Sequence, residues 1–198
     1  MTSREDVEGF ILSGGSSSRM GTPKGSLLVG GVPIIARVAR VLSGIFTRIS
    51  VVTDRPEEVD FLGLPTIPDI RKGCGPMGGL HAALSSARSS SVILISCDLP
   101  FVSDRLLNAL LQRHGRAPAT VPRAGSEVHP LCAVYDCTLT PALEQHLGHR
   151  RLSMRKFLEE VGAEFVDLSS LDPPAASSEL MNVNSPEDLD AARALAGG

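Results

Sequence analysis

Short apolar runs alternate with amphipathic stretches over the first two-thirds of the chain. Val7 to Leu12 reads as a short buried strand. Pro33 opens a segment whose apolar positions Ile34, Ile35, Val38, Val41 and Leu42 fall on one helical face. Ile49 to Thr53 is rich in β-branched residues and predicts a second strand. After the breaker cluster Gly73-Cys74-Gly75-Pro76, helical spacing returns through Leu80, Ala83 and Leu84 between Met77 and Ala87. Ser91 to Ser96 is apolar without interruption at its centre, as a strand covered on both faces should be. Ser103 is placed to cap a helix bearing Leu106, Leu107, Leu110 and Leu111. Ala119 to Val121 and Pro130 to Tyr135 predict further strands, and Ser153 to Val161 a helix. Ser185-Pro186-Glu187-Asp188 is a helix start: a cap, a proline at the first position, then acids near the positive helix end. Ser169 to Ser178, with its Pro-Pro-Ala-Ala centre, predicts a loose surface loop.

Strands alternating with helices imply a three-layer α/β/α domain on a mainly parallel sheet. A chain of 198 residues suits one such domain. In these sheets ligands bind beyond the carboxyl ends of strands. Three segments are predicted there: the Gly/Ser loop after the first strand, Pro68-Asp69, and Cys97-Asp98.

Composition narrows the chemistry. A net charge of −3, with no Trp and a single Tyr, argues against a nucleic-acid-coating surface or a base-stacking platform. No apolar run approaches the roughly 20 residues of a membrane span. The acidic start (Glu5, Asp6, Glu8) is unlike a secretory signal. Cys74, Cys97, Cys132 and Cys137 form no CxxC pair and no zinc spacing with His81 or His129. Reduced thiols in the cytoplasm are the expectation.

The stretch Leu12-Ser13-Gly14-Gly15-Ser16-Ser17-Ser18-Arg19-Met20-Gly21-Thr22-Pro23-Lys24 carries the most information. Paired glycines allow a tight turn that aims successive N–H groups at an anion, and Arg19 and Lys24 add two cations. It is neither a Walker P-loop nor a GxGxxG fingerprint. Taken alone, it is also compatible with a flexible glycine turn. An aspartate at the end of the best strand, Asp98, suits Mg²⁺, which favours one or two carboxylates plus substrate oxygens. Asp69 is a candidate acceptor for a ribose or base. Each aspartate read singly fits a turn or cap equally well.

Five pieces of the chain carry a resemblance: LSGGSSSRMGTPKG (12–25), PDIRKGCGPMGGL (68–80), ISCDLPFV (95–102), HPLCAVY (129–135) and MNVNSPEDL (181–189). Together they resemble the molybdenum cofactor guanylyltransferases, within the wider nucleotidyltransferase superfamily. The first and third pieces mark the superfamily. The Arg-Met-Gly…Lys spacing, HPLCAVY and NVNSPEDL point to the family. The resemblance implies a Rossmann-like nucleotidyltransferase fold, with a nucleotide-binding part over about residues 1–115 and a pterin-side part over about 116–198. It implies an enzyme that joins GMP from GTP to molybdopterin and releases pyrophosphate. It assigns nucleotide binding to Leu12, Ser13, Gly14, Gly15, Lys24, Asp69 and Asp98, with Mg²⁺ on Asp98. Arg19, Lys24, Asp98 and Asn184 are implied as catalytic. His129, Tyr135, Arg151 and Asn182 are implied on the pterin side. Partners that insert the cofactor, or receiving molybdoenzymes, are expected; nucleic acid and membrane are not.

One position departs from the family pattern. Val52 stands where relatives commonly present an asparagine to the guanosine. Cytidylyl transfer to the same pterin, nucleotidyl transfer to a sugar phosphate, and a non-catalytic nucleotide- or pterin-binding adaptor are the alternatives.

Overall fold

The computed structural model describes residues 6–14, 24–171 and 175–197. Its strands are β1 (Val7–Leu12), β2 (Leu28–Val29), β3 (Val32–Pro33), β4 (Ile49–Val52), β5 (Thr66–Ile67), β6 (Ser91–Ser96), β7 (Ala119–Ala124), β8 (Glu127–Val128), β9 (Cys132–Asp136) and β10 (Glu164–Asp167). Its α-helices are α1 (Ile34–Ser43), α2 (Pro76–Ser86), α3 (Asp104–Arg113), α4 (Thr140–Gly148), α5 (Met154–Glu160) and α6 (Pro186–Gly197).

The main sheet has the order β10-β7-β9-β6-β1-β4-β5, with β8 paired to β7. β1 lies parallel between β4 and β6, in register at Leu12 with both Val52 and Ser96. The loops after these three strands therefore leave the sheet at one end. β9 runs antiparallel to both β6 and β7. β10 pairs in parallel with β7. The sheet is thus mainly parallel, as expected, with one reversed strand inserted on its path.

The continuous apolar run of β6 has a direct structural reason. Ile93 and Ile95 face the layer of α1 and α3, packing with Val38, Leu42, Leu106 and Leu110. Val92 and Leu94 face the opposite layer, with Leu80, Leu143 and Phe157 of α2, α4 and α5. A third, smaller apolar cluster joins the β2–β3 hairpin and α1 to α6 through Val29, Ile34, Val183 and Leu189. At the other end of the sheet, the buried Glu8 accepts from the Arg48 Nε at 3.0 Å and from the backbone N–H groups of Arg88 and Ser89.

Most differences from the sequence expectation are at ends and in short elements. β9 begins at Cys132 rather than Pro130, because proline has no N–H for the ladder and the chain turns first, with the Cys132 N–H donating to His129 O. Two-residue strands such as β2, β3, β5 and β8 are too short to show a period. The segment 169–178 is more tied down than a loose loop: among its described residues, Leu171 is buried, and 3-10 turns occupy Leu168–Ser170 and Ser177–Leu180.

Candidate active site

Three segments distant in sequence converge at the carboxyl ends of β1 and β6. Lys24 opens a 3-10 turn whose next residue, Gly25, is held against α1 and the β6 loop. A Cβ on Gly25 would sit 3.1 Å from the Ile35 Cβ and 3.5 Å from the Cys97 Cβ. This close approach brings the Lys24 ammonium 3.8 Å from a carboxylate oxygen of Asp98. The same ammonium donates to the side-chain oxygen of Asn184. Asn184 is delivered by an extended strap whose Val183 N–H donates to the Asp98 carbonyl at 3.0 Å. The capping acid of α6, Asp188, then accepts from the N–H groups of Asn184 and Ser185, both at 2.9 Å. These backbone bonds, above all the one from Asn184, hold the Asp188 carboxyl below the usual range, with the charge of Lys24 adding in the same direction.

Asp98 is only 8% exposed. One of its oxygens faces Lys24. The other is buried with no hydrogen-bond partner among the described residues. A buried carboxylate oxygen left open beside a single lysine fits a cation site completed by substrate oxygens. Among the described residues there is no cluster of three or more potential ligands.

Cys97 is not a nucleophile in this arrangement. Burial, then the charge of Asp98, pushes its thiol up to about 12, despite a hydrogen bond with Ser13 and the nearby Lys24. Ser13 in turn donates its N–H to Val52 O at 2.9 Å, and Cys97 N–H donates to Leu12 O at 3.0 Å. The segment from Leu12 to Gly14 thus starts from a fixed point. Gly15 and Arg19 lie outside the described residues.

Asp69 stands on the neighbouring rim, after β5. Its carboxylate accepts from the Arg71 N–H at 2.8 Å, and its own N–H donates to the Asp54 side chain at 3.1 Å. It presses on the first turn of α2: a Cβ on Gly78 would lie 2.7 Å from one Asp69 oxygen and 2.9 Å from Arg71 O. Gly79 is open in the same way to the Leu12 side chain. The Gly78-Gly79 pair therefore exists for close packing of Asp69 and Leu12, and both glycines are buried. Gly75, just before α2, has φ +56°, a conformation glycine adopts freely.

The pterin-side candidates separate on burial. Tyr135 is fully buried in β9 among core residues, and its hydroxyl donates to Pro130 O. His129 sits in the turn before β9, whose Leu131 O accepts from the Ser96 N–H at 2.8 Å, next to the Asp98 loop. Its ring is buried, and Nε2 has no partner among the described residues. Burial lowers its pKa, against the opposing charge of Glu127. Arg151 is half-exposed and pairs with Glu160 at 3.2 Å. Asn182 lies on the strap, two residues before Asn184. Val52 is buried against the α2 layer, so its side chain reads no base. Sequence reading missed the buried Glu179 and the tie of Asp54 to Asp69. Neither carries a local pattern that distinguishes it from a surface acid.

Residues 9–165 match the MobA-like NTP transferase domain. A Pelotomaculum thermopropionicum protein named "probable molybdenum cofactor guanylyltransferase" is 35% identical, over 95% of this chain and 92% of its own length. The molybdenum cofactor guanylyltransferase of Pseudomonas aeruginosa is 32% identical over 91% of each chain. The crystal structure of molybdopterin-guanine dinucleotide biosynthesis protein A from Archaeoglobus fulgidus superposes with a TM-score of 0.82, at 23% identity, over 96% of this chain and 98% of that one. Enzymes of this group generally use a divalent metal. With its parallel core, its converging strand-end loops and a match spanning most of its length, the chain belongs to the MobA-like NTP transferase family of nucleotidyltransferases.

Proposed function

We propose that this chain transfers GMP from GTP to molybdopterin in the cytoplasm, giving molybdopterin guanine dinucleotide and pyrophosphate. The observation that carries the reading is the convergence of Lys24, Asp98 and Asn184, drawn from three distant segments to one strand end. The relatives' names support the choice of reaction.

In this reading a terminal phosphate oxygen of molybdopterin attacks the α-phosphorus of GTP. The new P–O bond forms as the bond to the β-phosphate breaks, and pyrophosphate leaves with the electron pair. The nucleophile is already anionic, so no Ser-His or Cys-His pair is needed. Positioning and charge neutralisation supply the rate. Lys24 neutralises the triphosphate and the departing pyrophosphate, with Arg19 as its partner cation. Asn184 orients the Lys24 ammonium. Leu12, Ser13, Gly14 and Gly15 hold the nucleotide, and Asp69 contacts the nucleoside. Mg²⁺, held by Asp98 and substrate oxygens, would draw charge from the phosphates. Residues up to about 115 bind the nucleotide. Those from about 116 onward, with His129, Arg151 and Asn182, face the pterin. Cofactor-insertion proteins or receiving molybdoenzymes are the expected partners.

The buried, apolar Val52 leaves base selection to other groups, so nucleotide choice is the test. Pyrophosphate release is measured with GTP, CTP and ATP, with and without molybdopterin and Mg²⁺. GTP-specific release that requires both is expected. A preference for CTP would make the enzyme a cytidylyltransferase. Binding without release from any nucleotide would make it an adaptor.

A further inference from the structure

Glu179 has no part in the chemistry proposed for the site, yet it is buried, with 8% exposure, and its carboxylate is engaged at both oxygens. One oxygen accepts from the Arg105 guanidinium at 2.6 Å and from the Ala176 N–H at 3.0 Å. The other accepts from the Ser103 hydroxyl. Ser103 is itself the cap of α3, accepting from the Leu106 N–H at 3.1 Å. A buried carboxylate is tolerated when its lone pairs are used in this way.

The position of this cluster is what matters. Two chain segments leave it: one runs back from Ser103 to Asp98, the other forward from Glu179 to Asn184. They meet again at the Val183 N–H to Asp98 carbonyl bond. The two arms are therefore tied at both ends, once beside the reacting groups and once at Glu179. One arm ends in the carboxylate that faces Lys24, and the other in the side chain that receives the Lys24 hydrogen bond. Between these ties the strap has a single short 3-10 turn, Ser177–Leu180. Besides this remote tie, its path rests on one backbone bond, on the α6 cap and on the burial of Leu180 and Val183.

We infer that Glu179 is a positioning residue, which keeps Asn184 at Lys24 and Asp98 by locking the strap to the start of α3. The inference rests on the guanylyl-transfer reading of the site. The test compares Glu179→Ala, Glu179→Gln, Asn184→Ala and the double variant Glu179→Ala/Asn184→Ala in the full chain, using pyrophosphate release and thermal melting. Glu179→Ala lowers kcat roughly 10- to 100-fold, the scale of a displaced reacting group, and changes KM for GTP much less. Glu179→Gln recovers most of that loss, since its oxygen still accepts from Arg105 and its amide can donate to Ser103. In the Asn184→Ala background, Glu179→Ala costs no more than about a further twofold, because it acts through Asn184. If Glu179→Ala does not fold, Glu179→Asp keeps the charge with a shorter reach and gives the same non-additive pattern. Losses that multiply in the double variant, or unchanged kcat in Glu179→Ala, overturn the inference while leaving the reaction intact. Wild-type turnover by Asn184→Ala overturns the reading of the site, and this inference with it.

Discussion

Lys24 and Asp98 stand 3.8 Å apart, with the lysine side chain 31% exposed and the aspartate carboxyl turned inward. That asymmetry assigns them different work. On the proposed reading the partly exposed ammonium can follow a triphosphate, whereas the buried carboxylate is a fixed point. Lys24→Ala is expected to lower turnover at least ~100-fold, the scale of one lost transition-state contact, when single-turnover rates are compared. Asp98→Asn keeps the shape but removes the charge. Loss of Mg²⁺-dependent pyrophosphate release with an unchanged melting temperature is expected, and unchanged turnover would remove Asp98 from the mechanism. Gly78 offers a steric test. An added methyl would press on the Asp69 carboxylate and on a backbone carbonyl that cannot yield. Gly78→Ala should therefore destabilise by about 1–3 kcal/mol and weaken nucleotide binding, read by denaturant melts and by titration.

Among the elements, α6 shows how a local signal becomes part of the site. Ser185 accepts from the Asp188 N–H at 3.2 Å while Asp188 accepts from the Ser185 N–H, a reciprocal cap. The same Asp188 oxygen also holds the Asn184 N–H. Ser185→Ala should cost about 1 kcal/mol of stability with activity largely kept, whereas Asp188→Ala should lower both, since it also frees the Asn184 backbone. Melting and turnover on the two variants separate capping from positioning. At α3 the cap was legible in Ser103, but its second bond, to Glu179, was not.

For the molecule as a whole, buried imidazoles set a pH dependence. Burial lowers the pKa of His114 below the usual 6.5, against the opposing charge of Asp136, and His129 shifts the same way, with Glu127 opposing. Below about pH 6.5 the unfolded chain binds protons that the folded chain refuses, so stability is lost as pH falls through that value. The melting temperature should drop from about pH 7.5 to about pH 5.5, and His114→Gln, which can keep a bond to Ser91, should flatten part of that slope. A melting temperature that rises on acidification would contradict the burial of these rings.

β1, β6, α1 and α3 were legible because each carries a period or a cap within its own residues. So were the chemical types at the strand ends, Asp98 among them. The sequence by itself determined that strands and helices alternate, that a parallel sheet forms, and that its carboxyl ends carry a glycine loop, a lysine and two aspartates. The tertiary structure alone decided which of these meet. Lys24 and Asn184 are 160 positions apart and touch only because the strap is laid beside the Asp98 loop. Tyr135, in a motif that reads as substrate-facing, turns into the core because β9 is inserted between β6 and β7. Pairing of this kind depends on which strands become neighbours, a long-range choice that no local period encodes.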